Sequence, residues 1–376
     1  MRYLLLCVAL SLALIGCSDK GTKAGGEQLS AGDLAAGKTI ADRDCKGCHG
    51  LDGKGTAPGI PHLAGQRAAY LVVALAEYKD GKRVHAALRD IATHLNEAET
   101  RNVAGYYASL PPIAPAVGPD AVPPSPYERG KTLASACESC HGAQGNSTTA
   151  GVPSLAGQQP RYFYVATQEY LTGLRGTTPM HMPIRDLNRQ DLESLALYYA
   201  SQMPTPREAP KAGDPAAGEP KSALCGGCHG SHGVSSDSAT PTLAAQDAEY
   251  LVHSMKAYRQ DRKHAAMQKA VAELTDQDIV NIAAFYSVQK SKPAEKGETL
   301  VKDTTEKCDR CHSPQVENPS MPIPIIRAQD RDYLTMALRA YHDDRRESTM
   351  MHKMSMPYSE SVIDSLAAFY ASQPAK

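Results

Sequence analysis

The pattern Cys-x-x-Cys-His occurs four times in this chain: Cys45, Cys48 and His49; Cys137, Cys140 and His141; Cys225, Cys228 and His229; Cys308, Cys311 and His312. Two thiols three residues apart on one helical turn can each add to a vinyl group on the edge of one porphyrin. The imidazole that follows then ligates the iron. Four copies point to four c-type haems and to chemistry that moves electrons. A zinc site would use the same Cys spacing but needs more Cys or His than each segment supplies. A disulfide does not explain why the Cys-Cys-His triplet recurs intact.

The elements that must position these residues repeat with them. The motifs stand 92, 88 and 83 residues apart, and a repeat of that period is read as one structural unit used several times. After each motif comes a turn-rich stretch, then a Pro with a Gln five residues on: Pro61 and Gln66, Pro153 and Gln158, Pro241 and Gln246, Pro324 and Gln329. Four residues after each Gln stands a Tyr (Tyr70, Tyr162, Tyr250, Tyr333), and eight further on another (Tyr78, Tyr170, Tyr258, Tyr341). Apolar spacing between them is helical, and the tyrosines read as packing residues. Each unit closes on a second helix, opened by a small polar cap and acids such as Thr275, Asp276 and Asp278. These helices end in the aromatic pairs Tyr106-Tyr107, Tyr198-Tyr199, Phe285-Tyr286 and Phe369-Tyr370.

The remaining cysteines, Cys7 and Cys17, fall in an N-terminal segment with a secretion pattern. Arg2 precedes an apolar run, Leu4 to Ile15, that is too short to span a membrane comfortably. It ends at Cys17 in a sequence like the bacterial lipoprotein box. The expectation is a signal peptide over 1–16, lipidation at Cys17, and a Gly/Ser/Lys-rich tether over 17–30, with the protein outside the cytoplasm and held to a membrane. Units follow at 31–112, 126–204, 213–290 and 291–376. A stiff proline-rich linker spans 113–125, and a shorter one spans 205–212. A net charge of −1 gives no electrostatic case for nucleic acid. Trp is absent and Phe numbers 3, so the bound haems must supply much of each small core.

Residues 31–376 resemble class I c-type cytochromes, most closely the dihaem cytochrome c4 group. The Cys-x-x-Cys-His and Pro-x-Leu-Ala-Gly-Gln segments carry the resemblance, and the chain reads as two such dihaem units in tandem. The resemblance implies an all-α fold of four small helical domains, each around one haem. It implies that the carbonyls of Pro61, Pro153, Pro241 and Pro324 orient the proximal imidazoles. It implies electron shuttling in the bacterial periplasm between redox proteins, such as a quinol-oxidising complex and a terminal oxidase or reductase.

In that family the distal iron ligand is a Met before the last helix. Met180 lies 39 residues after His141, Met267 lies 38 after His229, and Met351 lies 39 after His312. Met182, Met350, Met354 and Met356 are close by, and the repeat spacing selects Met180, Met267 and Met351. Unit 1 has Leu88 at this place and no Met anywhere between Met1 and Met180. Its distal ligand is His94, His85, a Lys such as Lys82, or none. Two functions remain open. One is an electron carrier with no catalytic residues, free or as the permanent cytochrome subunit of a complex. The other is a haem enzyme with an open iron at unit 1.

Overall fold

The computed structural model describes residues 29–115, 123–176, 178–316 and 322–375. The expected signal segment, Cys17 and the middle of the proline-rich linker lie outside them. Among the described residues there is no strand, and no helix is long and apolar enough to cross a membrane.

Among the described residues four helices frame each unit, with short motif turns besides them at Lys46–His49, Glu138–His141 and Gly226–His229 in units 1 to 3. In unit 1, α1 (Ala31–Ile40) runs on through Ala41–Cys45 to the turn Lys46–His49 that carries the motif. It is followed by α2 (Ala68–Lys79), α3 (Ala86–His94) and α4 (Glu97–Ser109). Unit 2 has α5 (Pro126–Ala134), α6 (Pro160–Leu171), α7 (His181–Ile184) and α8 (Arg189–Ala200). Unit 3 has α9 (Pro215–Lys221), α10 (Ala248–Gln260), α11 (Ala265–Val271) and α12 (Asp276–Ser287). Unit 4 has α13 (Leu300–His312), α14 (Arg331–His342), α15 (Thr349–Ser355) and α16 (Glu360–Ser372).

Local chemistry sets the helix starts. Asn96, Asn188 and Thr275 cap α4, α8 and α12, each exchanging bonds with an acid three residues on (Glu99, Asp191, Asp278). The first and last helices of units 1 to 3 cross at a glycine. A Cβ on Gly37 would come within 2.1 Å of the Asn102 carbonyl oxygen, on Gly130 within 2.1 Å of Ser194, and on Gly218 within 2.0 Å of Asn281. Only a bare backbone fits there. The second aromatic of each closing pair is buried beside the first Cys of its motif: Tyr107 with Cys45, Tyr199 with Cys137, Tyr286 with Cys225, Tyr370 with Cys308.

The units run in tandem along the chain but nest in space. The Gln that follows each Pro reaches into another unit. Gln158 donates to the Thr242 carbonyl at 3.1 Å and accepts from its N–H at 2.8 Å; Gln246 does the same with Ser154 at 2.9 and 2.7 Å. Units 2 and 3 thus form one reciprocal pair. Gln66 exchanges bonds with Ile325 at 2.9 and 2.9 Å, and Gln329 with His62 at 2.9 and 2.6 Å, so units 1 and 4 form the other.

Candidate haem sites

The four motif imidazoles are held alike. Nδ1–H of His49 donates to the Pro61 carbonyl at 3.0 Å; His141 to Pro153, His229 to Pro241 and His312 to Pro324 each do so at 2.8 Å. A carbonyl only accepts, so the proton sits on Nδ1 and Nε2 keeps its lone pair. Burial pushes all four imidazoles below the usual His range, and the prolyl carbonyl only partly offsets it. They are neutral at pH 7, as metal ligation requires. Each Gln contact described above falls on the residue directly after one of these prolines. Pairing of units therefore braces the segment that orients the proximal His.

On the distal side, Met267 and Met351 occupy the third residue of α11 and α15. Their N–H groups donate to the cap side chains of His264 at 3.3 Å and Ser348 at 3.2 Å. Leu88 occupies the same position in α3, its N–H donating to Nδ1 of His85 at 3.2 Å. Met180 stands directly before α7. All four residues are half-buried. His85 is thus a helix cap and the counterpart of His264; each also packs edge-on against the second Tyr of its unit, at 6.2 and 6.3 Å. With Nδ1 accepting, the neutral ring carries its proton on Nε2 and has no lone pair to offer iron. His94 has the opposite tautomer, Nδ1–H donating to the Asp90 carbonyl at 2.8 Å, but its side chain is 76% exposed at the end of α3. In this structure His85 is engaged as the cap of α3, and His94 lies at the exposed end of the same helix. The segment around Leu88 is otherwise built like those around Met267 and Met351.

Sequence reasoning missed four arginines. An Arg recurs four or five residues after the second Tyr of each unit: Arg83, Arg175, Arg262 and Arg346. Comparing the repeats beyond their tyrosines would have found it. In the 1–4 pair, Arg83 and Arg346 both donate to the Tyr70 hydroxyl, at 3.4 and 3.2 Å, and Arg346 lies over Tyr341 at 4.5 Å. Arg175 and Arg262 lie over Tyr170 and Tyr258 in the 2–3 pair, at 5.1 and 4.3 Å. Burial alone would raise the Tyr70 and Tyr162 phenols, but the paired guanidiniums outweigh it and hold them below the usual range. Nε of Arg346 is buried without a hydrogen-bond partner. Buried cations with unused donors suit a carboxylate-bearing ligand. The donor set of two Cys, a neutral imidazole and, in three units, a half-buried Met suits an iron porphyrin.

Helices that each present Cys-x-x-Cys-His, with four imidazoles fixed in one tautomer, define a c-type cytochrome holding four covalently bound c-type haems. Residues 34–110 and 127–202 match the family model for cytochrome c. Cytochrome c4 of Pseudomonas aeruginosa is 32% identical over 207 residues, which span 53% of this chain and 98% of that one. A thiosulfate dehydrogenase electron acceptor of Thiomonas intermedia is 29% identical over 45% of this chain and 82% of its own. The crystal structure of reduced cytochrome c4 from Pseudomonas stutzeri aligns with 27% identity and a TM-score of 0.40 over 44% of this chain and all of that one. The chain belongs to the cytochrome c family and is an electron carrier built of cytochrome c4-like units.

Proposed function

We propose that this protein is a tetrahaem carrier, lipid-anchored to a bacterial membrane and facing the periplasm, that passes electrons between redox proteins. When bound, each haem supplies a reversible one-electron iron couple. The chain's residues do the rest. Cys45 and Cys48, Cys137 and Cys140, Cys225 and Cys228, and Cys308 and Cys311 fix the macrocycles covalently. His49, His141, His229 and His312 offer Nε2 to the irons. Met180, Met267 and Met351 would serve as the distal ligands in units 2 to 4, which would leave no open iron position there for a substrate. Arg83, Arg175, Arg262 and Arg346 offset the carboxylate charge. The observation that carries this reading is the common imidazole geometry, repeated four times with a prolyl carbonyl behind each ring.

The N-terminal Cys17 is the lipid site, and the tether gives the body reach to its partners. Because one relative is named as an electron acceptor for thiosulfate dehydrogenase, a sulfur-oxidising dehydrogenase joins the quinol-oxidising complex among donor classes, with a terminal oxidase or reductase as acceptor.

Leu88 favours one second reading: an open iron at unit 1 that binds a small oxidant or sulfur species. Low-temperature EPR of the ferric protein separates the two. The carrier reading expects signals unchanged by added cyanide or nitrite. A high-spin signal from one haem per chain that responds to either anion selects the enzyme.

A further inference from the structure

The order of the units along the chain differs from their order in space, and that difference sets a route. We propose that electrons cross between the two dihaem pairs through the contact of unit 2 with unit 4. The internal order is then 1–4–2–3, with units 1 and 3 at the ends. This rests on the carrier reading above. Each crossing is a one-electron exchange in which one unit loses what the next gains, with no bond made or broken.

Among the described residues, the hydrogen bonds between units join 1 to 4, 2 to 3, or 2 to 4. Those joining 1 to 4 and 2 to 3 are the reciprocal Gln contacts, extended by Asp330 accepting from Gly59 N–H and Asp247 from Gly151 N–H, both at 2.8 Å. Arg67 adds bonds from unit 1 to the Ile323 and Ser313 carbonyls of unit 4. The 2–4 contact is of another kind. Leu197 of α8 meets Val362 and Leu366 of α16 in one buried apolar cluster. Polar bonds flank it. Glu193, itself buried, pairs with Arg189 at 2.8 Å and accepts from the Ser361 N–H at 2.8 Å, and Gln190 bonds Asp364. The Ala294 N–H, at the start of unit 4, donates to the Ala200 carbonyl at 2.7 Å. These two helices also carry Tyr199 and Tyr370, which back Cys137 and Cys308. The contact therefore sets two haem-bearing cores against each other through their closing helices. Electron exchange weakens steeply with distance, so units in direct contact dominate it.

A second, independent observation comes from the repeats. Units 1 and 2 have Gly65 and Gly157 before the pairing Gln, where units 3 and 4 have Ala245 and Ala328. Units 1 and 2 have Glu77 and Glu169 before the second Tyr, where units 3 and 4 have Ala257 and Ala340. Asp247 and Asp330 follow the pairing Gln only in units 3 and 4. Two units of one type precede two of another, and each spatial pair takes one of each. Units 2 and 3 are a complete dihaem pair set in sequence between the halves of a second one, and the described contact between the pairs is the one joining units 2 and 4.

The test uses the full holo chain. Leu366→Asp puts an unpaired carboxylate into the apolar contact, which shifts its equilibrium towards open by about a hundredfold or more. Intact mass counts haems, small-angle scattering reads the separation of the pairs, and flash reduction with sub-stoichiometric electrons reads internal equilibration. We expect a chain that keeps its haems and opens at the contact. Equilibration between pairs should slow by about tenfold or more, with the fast phase inside each pair unchanged. If the contact opens and both phases keep their rates, the route is wrong. Should Leu366→Asp shed haem, the double change Gln190→Ala and Glu193→Ala removes only the flanking bonds and must slow the same phase. A parent chain showing no internal equilibration at all would instead overturn the carrier reading itself.

Discussion

Gln66→Ala is a sharp perturbation because the structure says which distant residues it should disturb. The Gln66 side chain, 7% exposed, makes three hydrogen bonds: Nε2 to the Ile325 carbonyl at 2.9 Å, and Oε1 from the N–H groups of Ile325 at 2.9 Å and Arg67 at 3.0 Å. Two of the three reach 259 residues along the chain. Truncation removes all of them and leaves both backbone groups of the half-buried Ile325 without their partner. At ~0.5–1.5 kcal/mol per bond, the loss is about 2–4 kcal/mol. Gln158→Ala removes the matching three bonds in the 2–3 pair, so its cost should be similar. Chemical denaturation of the holo protein measures the size, and hydrogen exchange read by mass spectrometry measures the place. Gln66→Ala should lose protection at residues 323–326 of unit 4 and leave residues 153–158 of unit 2 unchanged. Lost protection in unit 2 instead, or a cost below about 0.5 kcal/mol, would refute the nested pairing.

Other outcomes follow from single positions. Leu88→Met places a thioether where Met267 and Met351 stand, so one haem should shift to higher midpoint potential in a redox titration, and any binding of cyanide should be lost. Ala328 holds a left-handed backbone with φ of +52°; Ala328→Gly should raise stability by about 0.5–1 kcal/mol in denaturation, the relief of strain outweighing glycine's greater freedom when unfolded. The Asp278 carboxyl is pulled down to about 2 by the Thr275 backbone and hydroxyl and by Lys221. Its folded value lies below the unfolded one, so its stabilising share is present above the ordinary carboxylate range and fades as pH falls towards about 2. Asp278→Asn should flatten that acid limb in pH-dependent thermal unfolding.

Much of this architecture was legible in the residues. Cys-x-x-Cys-His is readable because two thiols at that spacing match the two vinyl groups of one haem, and the prolyl carbonyl behind each imidazole followed from the resemblance those motifs carry. Tyr70 to Tyr78 and its counterparts lie within helices because their apolar spacing is local information. Thr275 caps α12 for the same reason. What could not be read was which units touch. Gln66 and Ile325 are far apart in sequence, and a single chain does not say which of four equivalent Gln residues meets which proline segment. Only small differences between repeats, such as Gly65 and Gly157 against Ala245 and Ala328, carry that information, and they gain meaning once the pairing is seen. The arginines escaped notice because a cation after a helix reads as solvated surface, whereas Arg83 and Arg346 converge on the half-buried Tyr70 from different units. His85 and His94 were candidate ligands by type and place; in this structure His85 caps α3.

The most direct test of the central claim is a spectroelectrochemical titration of the intact holo protein with haem content measured on the same sample. Four covalent haems per chain are expected, each taking up one electron reversibly. Three should titrate as a group with His and Met ligation, and the haem of unit 1 should stand apart from them. Fewer than four haems, or four with indistinguishable potentials and identical ligand spectra, would contradict it.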